Sequence, residues 1–144
     1  MRLAKKTEHS EQVALFEWAK ANEARHLQLG LLFAIPNGGK RHIVTAKKLK
    51  ASGTKSGIPD IFLPVPRLPY DFNDVIVGDS YSIGFSDEVK FGLFIELKVG
   101  KNKPSKNQLW WIHSLRAEGY AVEVCYGFLE AKTAIENYLG LETA

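Results

Sequence analysis

The sequence predicts an α/β domain in which helices flank a mixed β-sheet. Helical and strand-like segments follow one another as helix, strand, helix, strand, strand, helix, strand, helix. The strand–helix–strand unit over residues 92–126 predicts a parallel pair with a right-handed crossover. The strands that carry Asp60 and Glu96 are expected to lie side by side and antiparallel. The chain of 144 residues is long enough for one domain, residues 1–144, with a buried core.

The composition excludes several classes of protein. It is 45% hydrophobic and 24% charged, which is ordinary for a globular domain. The single cysteine, Cys125, excludes an intrachain disulfide and favours a reducing compartment. No apolar run has the length of a membrane span, and the N-terminus lacks the apolar core of a signal peptide. We therefore expect a cytoplasmic protein with no membrane association.

The periodicity of apolar residues predicts four helices, over residues 7–22, 42–52, 105–118 and 129–138. In the first, Glu8 shares a face with Leu15 and Phe16 through three- and four-residue steps, so Glu8 is expected to face the core or a site at its rim. Glu11 lies nearer the edge of that face. Both acids are equally typical of a first helical turn, where they favour the helix dipole. In the third helix, Leu109, Ile112 and Leu115 are expected to face inward.

Four short apolar runs predict strands, over residues 29–35, 58–63, 92–99 and 120–126. Residues 36–39 must form a turn, since they combine proline, asparagine and two glycines. Residues 64–91 contain several prolines and a Gly78-Asp79-Ser80 turn signal, which predict an inserted hairpin or loop at the surface.

The central feature is the run Phe94-Ile95-Glu96-Leu97-Lys98. Glu96 and Lys98 are two residues apart, so on a strand their side chains point to the same face. One interpretation is an ion pair on an edge strand. The other is a cation site, since Asp60 supplies a second carboxylate from a neighbouring strand and two close carboxylates repel one another without a cation between them. Oxygen ligands without a histidine or cysteine cluster favour Mg²⁺ or Mn²⁺.

Basic residues cluster in two regions, although the net charge is only +3. They could bind DNA phosphates, together with the asparagine of the glycine-rich turn. Charge runs are more often ordinary solvated faces. The candidate DNA-binding residues are Asn37, Lys40, Arg41, Lys47, Lys55, Lys101 and Lys103.

Pro59-Asp60 followed by Glu96-Leu97-Lys98 resembles the PD-(D/E)xK nuclease motif, and the surrounding residues resemble the VRR-NUC family of that superfamily. The matching stretches are residues 34–39, 46–53, 57–63, 92–98 and 119–125, with Ser105, Gln108 and Trp111. The resemblance covers nearly the whole chain and is to the compact, stand-alone members from phages and bacteria. The longer segment 64–91 departs from the short turn usual in them.

This resemblance implies a restriction-endonuclease-like fold and the roles of several residues. Asp60, Glu96 and the Leu97 backbone carbonyl would be metal ligands, and Lys98 would be the catalytic lysine. Gln108 matches the family's active-site glutamine. Glu8 fits the family's first-helix glutamate better than Glu11, although both stay candidates.

The implied activity is that of an Mg²⁺- or Mn²⁺-dependent DNA endonuclease. Compact members resemble junction resolvases, which implies a homodimer acting on branched DNA, with four-way (Holliday) junctions as the expected substrate. A flap-cutting or nicking nuclease is the first alternative. A non-catalytic DNA-binding module and a protein-interaction domain with a plain Glu96–Lys98 ion pair are the others.

Overall fold

The computed structural model describes residues 4–36, 43–68 and 89–141. It confirms an α/β fold with a mixed four-stranded sheet and flanking helices. The elements are α1 (Glu8–Asn22), a 3₁₀ helix (Leu27–Leu31), β1 (Phe33–Ala34), α2 (Ile43–Ala51), β2 (Ile61–Leu63), β3 (Leu93–Lys98), α3 (Lys106–Ala117), β4 (Ala121–Tyr126) and α4 (Phe128–Leu139).

The strands are ordered β1-β2-β3-β4. β2 pairs antiparallel with β1 and with β3, and Ile61 lies opposite Ile95. β3 and β4 are parallel, with α3 as the crossover, so Glu96 lies opposite Val124. Both predicted pairings are confirmed. The interpretation of β3 as an edge strand is wrong, because β2 pairs with its residues 93–95 and β4 pairs with all six of its residues; at residues 96–98 only β4 is paired.

The two faces of β3 have different surroundings. Ile95 and Leu97 are almost completely buried in the apolar core, which they form with Leu15 of α1 and Ile135 of α4. Because side chains alternate along a strand, Glu96 and its even-numbered neighbours point to the opposite face. There an aromatic cluster, with Phe62 and Phe94 stacked at 4.2 Å and Tyr120 at their edges, covers part of the sheet.

Side-chain caps define where two helices begin. Thr7 accepts a hydrogen bond from the Ser10 N–H and starts α1, and Ser105 accepts one from the Gln108 N–H and starts α3. Each pair forms a capping box, which satisfies amide groups left free at a helix N-terminus. Within α3 the prediction for Leu109 is wrong, since its side chain is 42% exposed, whereas Ile112 is buried.

The strand predicted over residues 29–35 is largely wrong. Its first three residues belong to the 3₁₀ helix, and only Phe33 and Ala34 pair in the sheet. Leu29 and Leu32 are both buried, and their three-residue spacing is that of a helical turn. A short apolar run does not by itself distinguish a strand from a helical turn.

The predicted turn over residues 36–39, apart from Pro36, lies outside the described residues, and so do residues 69–88 of the segment 64–91 that is predicted to be an inserted hairpin or loop. The ends of that insertion are described, and an antiparallel bridge joins Arg67 to Lys90. Among the described helices, none is both long and apolar enough to span a membrane.

Candidate active site

Asp60 lies directly before β2 and connects three parts of the fold. Its backbone carbonyl accepts a hydrogen bond from the Ile35 N–H at 2.7 Å. Its carboxylate oxygen Oδ2 accepts another from the backbone N–H of Leu97 at 2.8 Å. The preceding residue, Pro59, is fully buried, and a proline at the start of a strand removes no ladder hydrogen bond there. These contacts fix the Asp60 carboxylate against β3.

Glu96 and Lys98 lie on the polar face of β3, close to the Asp60 carboxylate that precedes β2. The Lys98 Nζ is 3.4 Å from the Glu96 Oε1. Only 1% of Glu96 and 7% of Lys98 is exposed. The predicted ion pair therefore exists, but it does not account for the whole carboxylate. Within the part of the chain that the structure describes, the second oxygen, Oε2 of Glu96, is buried without a hydrogen-bond partner.

Gln108 joins this pair from the first turn of α3. Its Nε2 donates to Glu96 Oε1 at 2.7 Å, and its Oε1 accepts from Lys98 Nζ at 3.0 Å. The same Oε1 accepts the Ser105 N–H at 2.8 Å, which is half of the capping box. One amide thus caps α3 and orients both charged groups. A plain capping role would need only the Ser105 contact.

The first-helix glutamates point to different places. Glu8 is half-buried, and its negative charge is close enough to raise the pKa of both Asp60 and Glu96. Glu11 instead has its Oε1 4.0 Å from Lys6 Nζ, and a Cβ added at Gly127 would lie 3.0 Å from the same oxygen. The structure therefore brings Glu8, and not Glu11, to the carboxylate pair.

Burial and mutual repulsion shift the acids toward the protonated form. Burial, followed by the charge of Asp60, raises the pKa of Glu96 to about 7, although Lys98 opposes the shift. Burial also raises the pKa of Asp60, against the Leu97 N–H hydrogen bond, and Glu8 adds to the increase. Acidic groups that are buried and that repel one another in this way are typical of functional sites.

The Leu97 carbonyl faces the same side as Asp60. The Lys98 carbonyl accepts the Gly127 N–H at 3.0 Å, on the β4 side of the strand. Consecutive residues of a strand direct their backbone groups to alternate sides, so the Leu97 carbonyl is directed to the β2 side. The Leu97 N–H already meets Asp60 there. The first residue of β2, Ile61, lies opposite Ile95, so no residue of β2 pairs with Leu97 and the sheet is open on that side.

These atoms fit a hard cation. A partnerless carboxylate oxygen, a second carboxylate and a carbonyl form an oxygen donor set of the kind that Mg²⁺ and Mn²⁺ take. Across the described ranges, no group of three acidic, histidine or cysteine side chains is close enough to hold a metal. Asp60, Glu96 and the Leu97 carbonyl would therefore hold the cation together with water, which is usual for Mg²⁺.

The predicted DNA-binding residues fall into two groups. Lys47, Lys55, Lys101 and Lys103 have exposed side chains, on α2, on the loop before Pro59 and on the loop after β3. Asn37, Lys40 and Arg41 lie outside the described residues.

Sequence reasoning missed a contact that positions Asp60. The loop before it is held against α3 by two donors: Asn107 Nδ2 donates to the Ser56 carbonyl and hydroxyl at 2.8 Å, and Trp111 Nε1 donates to the same carbonyl at 3.0 Å. Gly57 is required here, because it has a φ of +87° and an added Cβ would lie 2.8 Å from Asn107. The Ser-Gly pair before Pro59 was the available signal.

A mixed sheet that presents two acids, a lysine and a glutamine at one place has the architecture of a nuclease domain. A family model of the VRR-NUC domain matches residues 3–129, so the chain belongs to the VRR-NUC family, a nuclease family. A solved structure titled "VRR_NUC domain protein" has the same fold, with a TM-score of 0.68 and 24% identity over 96% of this chain and 93% of that chain. No curated protein matches the chain.

Proposed function

We propose that this protein is an Mg²⁺- or Mn²⁺-dependent DNA endonuclease that acts on branched DNA. The buried Oε2 of Glu96 carries the proposal. A carboxylate oxygen without a partner costs free energy on the order of 1–3 kcal/mol, or more when it is charged. A cation held between Glu96 and Asp60 removes that cost and their repulsion.

The reaction is hydrolysis of a phosphodiester: water attacks phosphorus, one P–O bond breaks, and the leaving oxygen takes up a proton. A bound divalent cation supplies Lewis-acid activation of water and of the phosphate. Lys98, held by Glu96 and Gln108, offers a positive charge to the phosphate in its transition state. Glu8 adds a third carboxylate at the rim, where it can accept a proton or orient water.

The test is a cleavage assay with labelled four-way junctions, flaps, nicked duplex and linear duplex, in Mg²⁺, in Mn²⁺ and in EDTA. Asp60→Asn and Lys98→Ala should each remove cleavage, whereas Glu130→Gln and Lys132→Ala on α4 should retain it. Unchanged cleavage by either site variant, or by the wild type in EDTA, would contradict the proposed chemistry.

Four-way junctions are the first candidate substrate, and this preference is supported by the likeness to compact, stand-alone family members. A homodimer would place two sites for symmetric cuts. Equal cutting of the whole substrate panel would refute the junction preference and leave the nuclease activity standing. Light scattering measures the oligomeric state independently.

Glu8→Gln and Glu11→Gln form a matched pair within one helical turn. Since only Glu8 acts electrostatically on Asp60 and Glu96, Glu8→Gln should reduce the cleavage rate and Glu11→Gln should not. The reverse result would move the first-helix glutamate to Glu11.

A further inference from the structure

A groove between α2 and α3 lies outside the acidic site. It encloses about 700 Å³, within the range of ligand-binding clefts, roughly 300–1,000 Å³. Its described lining combines aromatic, basic, apolar and small polar side chains, and none of these described residues is acidic: Ala46, Leu49, Lys50, Gly53, Thr54, Lys55, Ser56, Asn107, Trp110 and Trp111.

Trp110 is the unusual member of this lining. It is 60% exposed, although burying a tryptophan removes a large apolar area from water. Its ring meets that of Trp111 edge to face at 5.2 Å, and Trp111 is fixed by its hydrogen bond to Ser56. A rigid neighbour thus supports an exposed aromatic ring, which is what a stacking surface for a base requires.

The charge of the groove selects among possible occupants. Lys50 and Lys55 are exposed at its wall, and Lys47 lies one helical turn before Lys50 on α2. Exposed aromatic rings combined with lysines, without acids, are complementary to a nucleic-acid strand that has both bases and phosphates available. Paired bases inside a duplex do not present their faces to a side chain, so the DNA strand that fits the groove is unpaired.

The groove is directly connected to the acidic site. Asn107 and Trp111 hold Ser56 in the wall of the groove, and the chain from Ser56 to Asp60 spans at most about 14 Å when fully extended. Gln108, adjacent to Asn107, contacts Glu96 and Lys98. A DNA strand bound in the groove therefore lies within a few nucleotides of the carboxylates of Asp60 and Glu96.

We propose that the α2–α3 groove binds an unpaired DNA strand beside the scissile phosphate, with a base stacked on Trp110 and phosphates on Lys50 and Lys55. This inference rests on the proposed nuclease function and narrows its substrate class. The preferred branched DNA carries an unpaired strand that leaves the duplex next to the acidic site. A flap has such a strand and a fully paired four-way junction does not, so the groove favours flaps over the junctions that are the first candidate on family likeness alone.

The experiment compares the binding of two probes in EDTA, where no cleavage occurs: a blunt DNA duplex and the same duplex with an oligothymidine tail. Trp110→Ala should weaken binding of the tailed probe about 5- to 100-fold, the range found for losing one stacked base. Binding of the blunt probe should change less than about twofold. Trp110→Phe should retain most of the affinity, since a phenyl ring still stacks.

Leu109→Ala is the matched control, because Leu109 is an exposed apolar residue of the same helix outside the groove. It should bind both probes as the wild type does. Addition of the tail should quench wild-type tryptophan fluorescence, and Trp110→Ala should lose that response. Lys50→Ala and Lys55→Ala should each reduce the salt slope for the tailed probe by about 1.

Equal weakening of both probes by Trp110→Ala, or no weakening of either, would overturn the groove proposal. So would a change from dimer to monomer in Trp110→Ala, since a second copy of the chain would then cover the groove. Failure of the wild type to bind either probe at low salt would instead refute the proposed DNA function itself. If the wild type bound both probes with equal affinity, the groove proposal would be refuted and the proposed nuclease function would stand.

Discussion

Both faces of β3 carry buried side chains, but burial has opposite consequences on the two faces. On the core face, Ile95 and Leu97 are 0% and 1% exposed and stabilise the fold by removing apolar surface from water. On the other face, Glu96 is 1% exposed, and its Oε2 has no hydrogen-bond partner among the residues that the structure describes. One face stabilises the domain, and the other retains a cost that only a ligand would remove. Stability and function are thereby separated by a single residue step.

The largest expected effect tests this separation on the polar face. Glu96→Gln should reduce cleavage at least about 100-fold, since it removes one of the two carboxylate charges proposed to hold the cation. In EDTA at pH 8 its free energy of unfolding should equal or exceed that of the wild type, because the buried charge is gone. Cleavage rates and urea unfolding of the same preparations measure both. A strongly destabilised Glu96→Gln protein would mean that Glu96 is structural.

The core face should respond in the opposite way. Ile95→Ala should lower the free energy of unfolding by about 2–5 kcal/mol, since it opens a cavity in the middle of the sheet. Cleavage per folded molecule should stay near that of the wild type at low temperature. Loss of activity without loss of stability would show that the two faces are not independent.

The comparison also predicts a dependence on pH in the metal-free protein. The pKa of Glu96 is raised from 4.5 to about 7, so the folded state binds this proton more tightly than the unfolded state does. The contribution of Glu96 to the free energy of unfolding is fully present below pH 4.5 and is lost as the pH rises through 7. The stability of Glu96→Gln relative to the wild type should therefore increase between pH 5 and pH 8, by on the order of 1–3 kcal/mol.

Added Mg²⁺ should reverse that difference at pH 8 by stabilising the wild type alone. Urea unfolding at several pH values, with and without Mg²⁺, tests both statements. A relative stability that does not change with pH would mean that Glu96 titrates normally.

Gln108 connects the polar face to a helix, and its removal should have an intermediate effect. Gln108→Ala removes half of a capping box and the donor to Glu96, which should cost about 1–2 kcal/mol of stability. Gln108→Glu retains the capping geometry and replaces the amide donor by an acid. It should restore stability at low pH and leave cleavage impaired, which thermal melts and rate measurements would show. Full activity of Gln108→Glu would reduce the glutamine to a cap.

The smallest effect on cleavage is expected from a substitution at Cys125, which is buried in the hydrophobic core. Burial raises the pKa of its thiol to about 12, so little thiolate is present at neutral pH. The native protein should react with a thiol reagent only as fast as it unfolds, and Cys125→Ala should retain activity. Rapid labelling of the native state would place this cysteine at a mobile or exposed site.

The sequence by itself determined the alternation of helices and strands and the antiparallel and parallel pairings around β3. Its charges inside apolar runs singled out Asp60, Glu96 and Lys98 as candidates, whereas Gln108 was singled out only by the resemblance to the VRR-NUC family. Periodicity, caps and charges inside apolar runs are local signals, and they are readable because each has a fixed physical cost. The run over residues 29–35 was misread, because its three-residue burial pattern depends on what packs against it.

Only the tertiary structure decided which glutamate of α1 approaches the site, since Glu8 and Glu11 are both plausible by helical spacing. It alone placed the Asp60 carboxylate on the Leu97 N–H and the Ser56 loop on α3, because those contacts join residues far apart in the chain. It also turned the Glu96–Lys98 pair from a surface feature into a buried one, by pairing β4 along one side of these residues and placing Gln108 of α3 against their side chains. Distances across the chain depend on packing, and no local pattern encodes them.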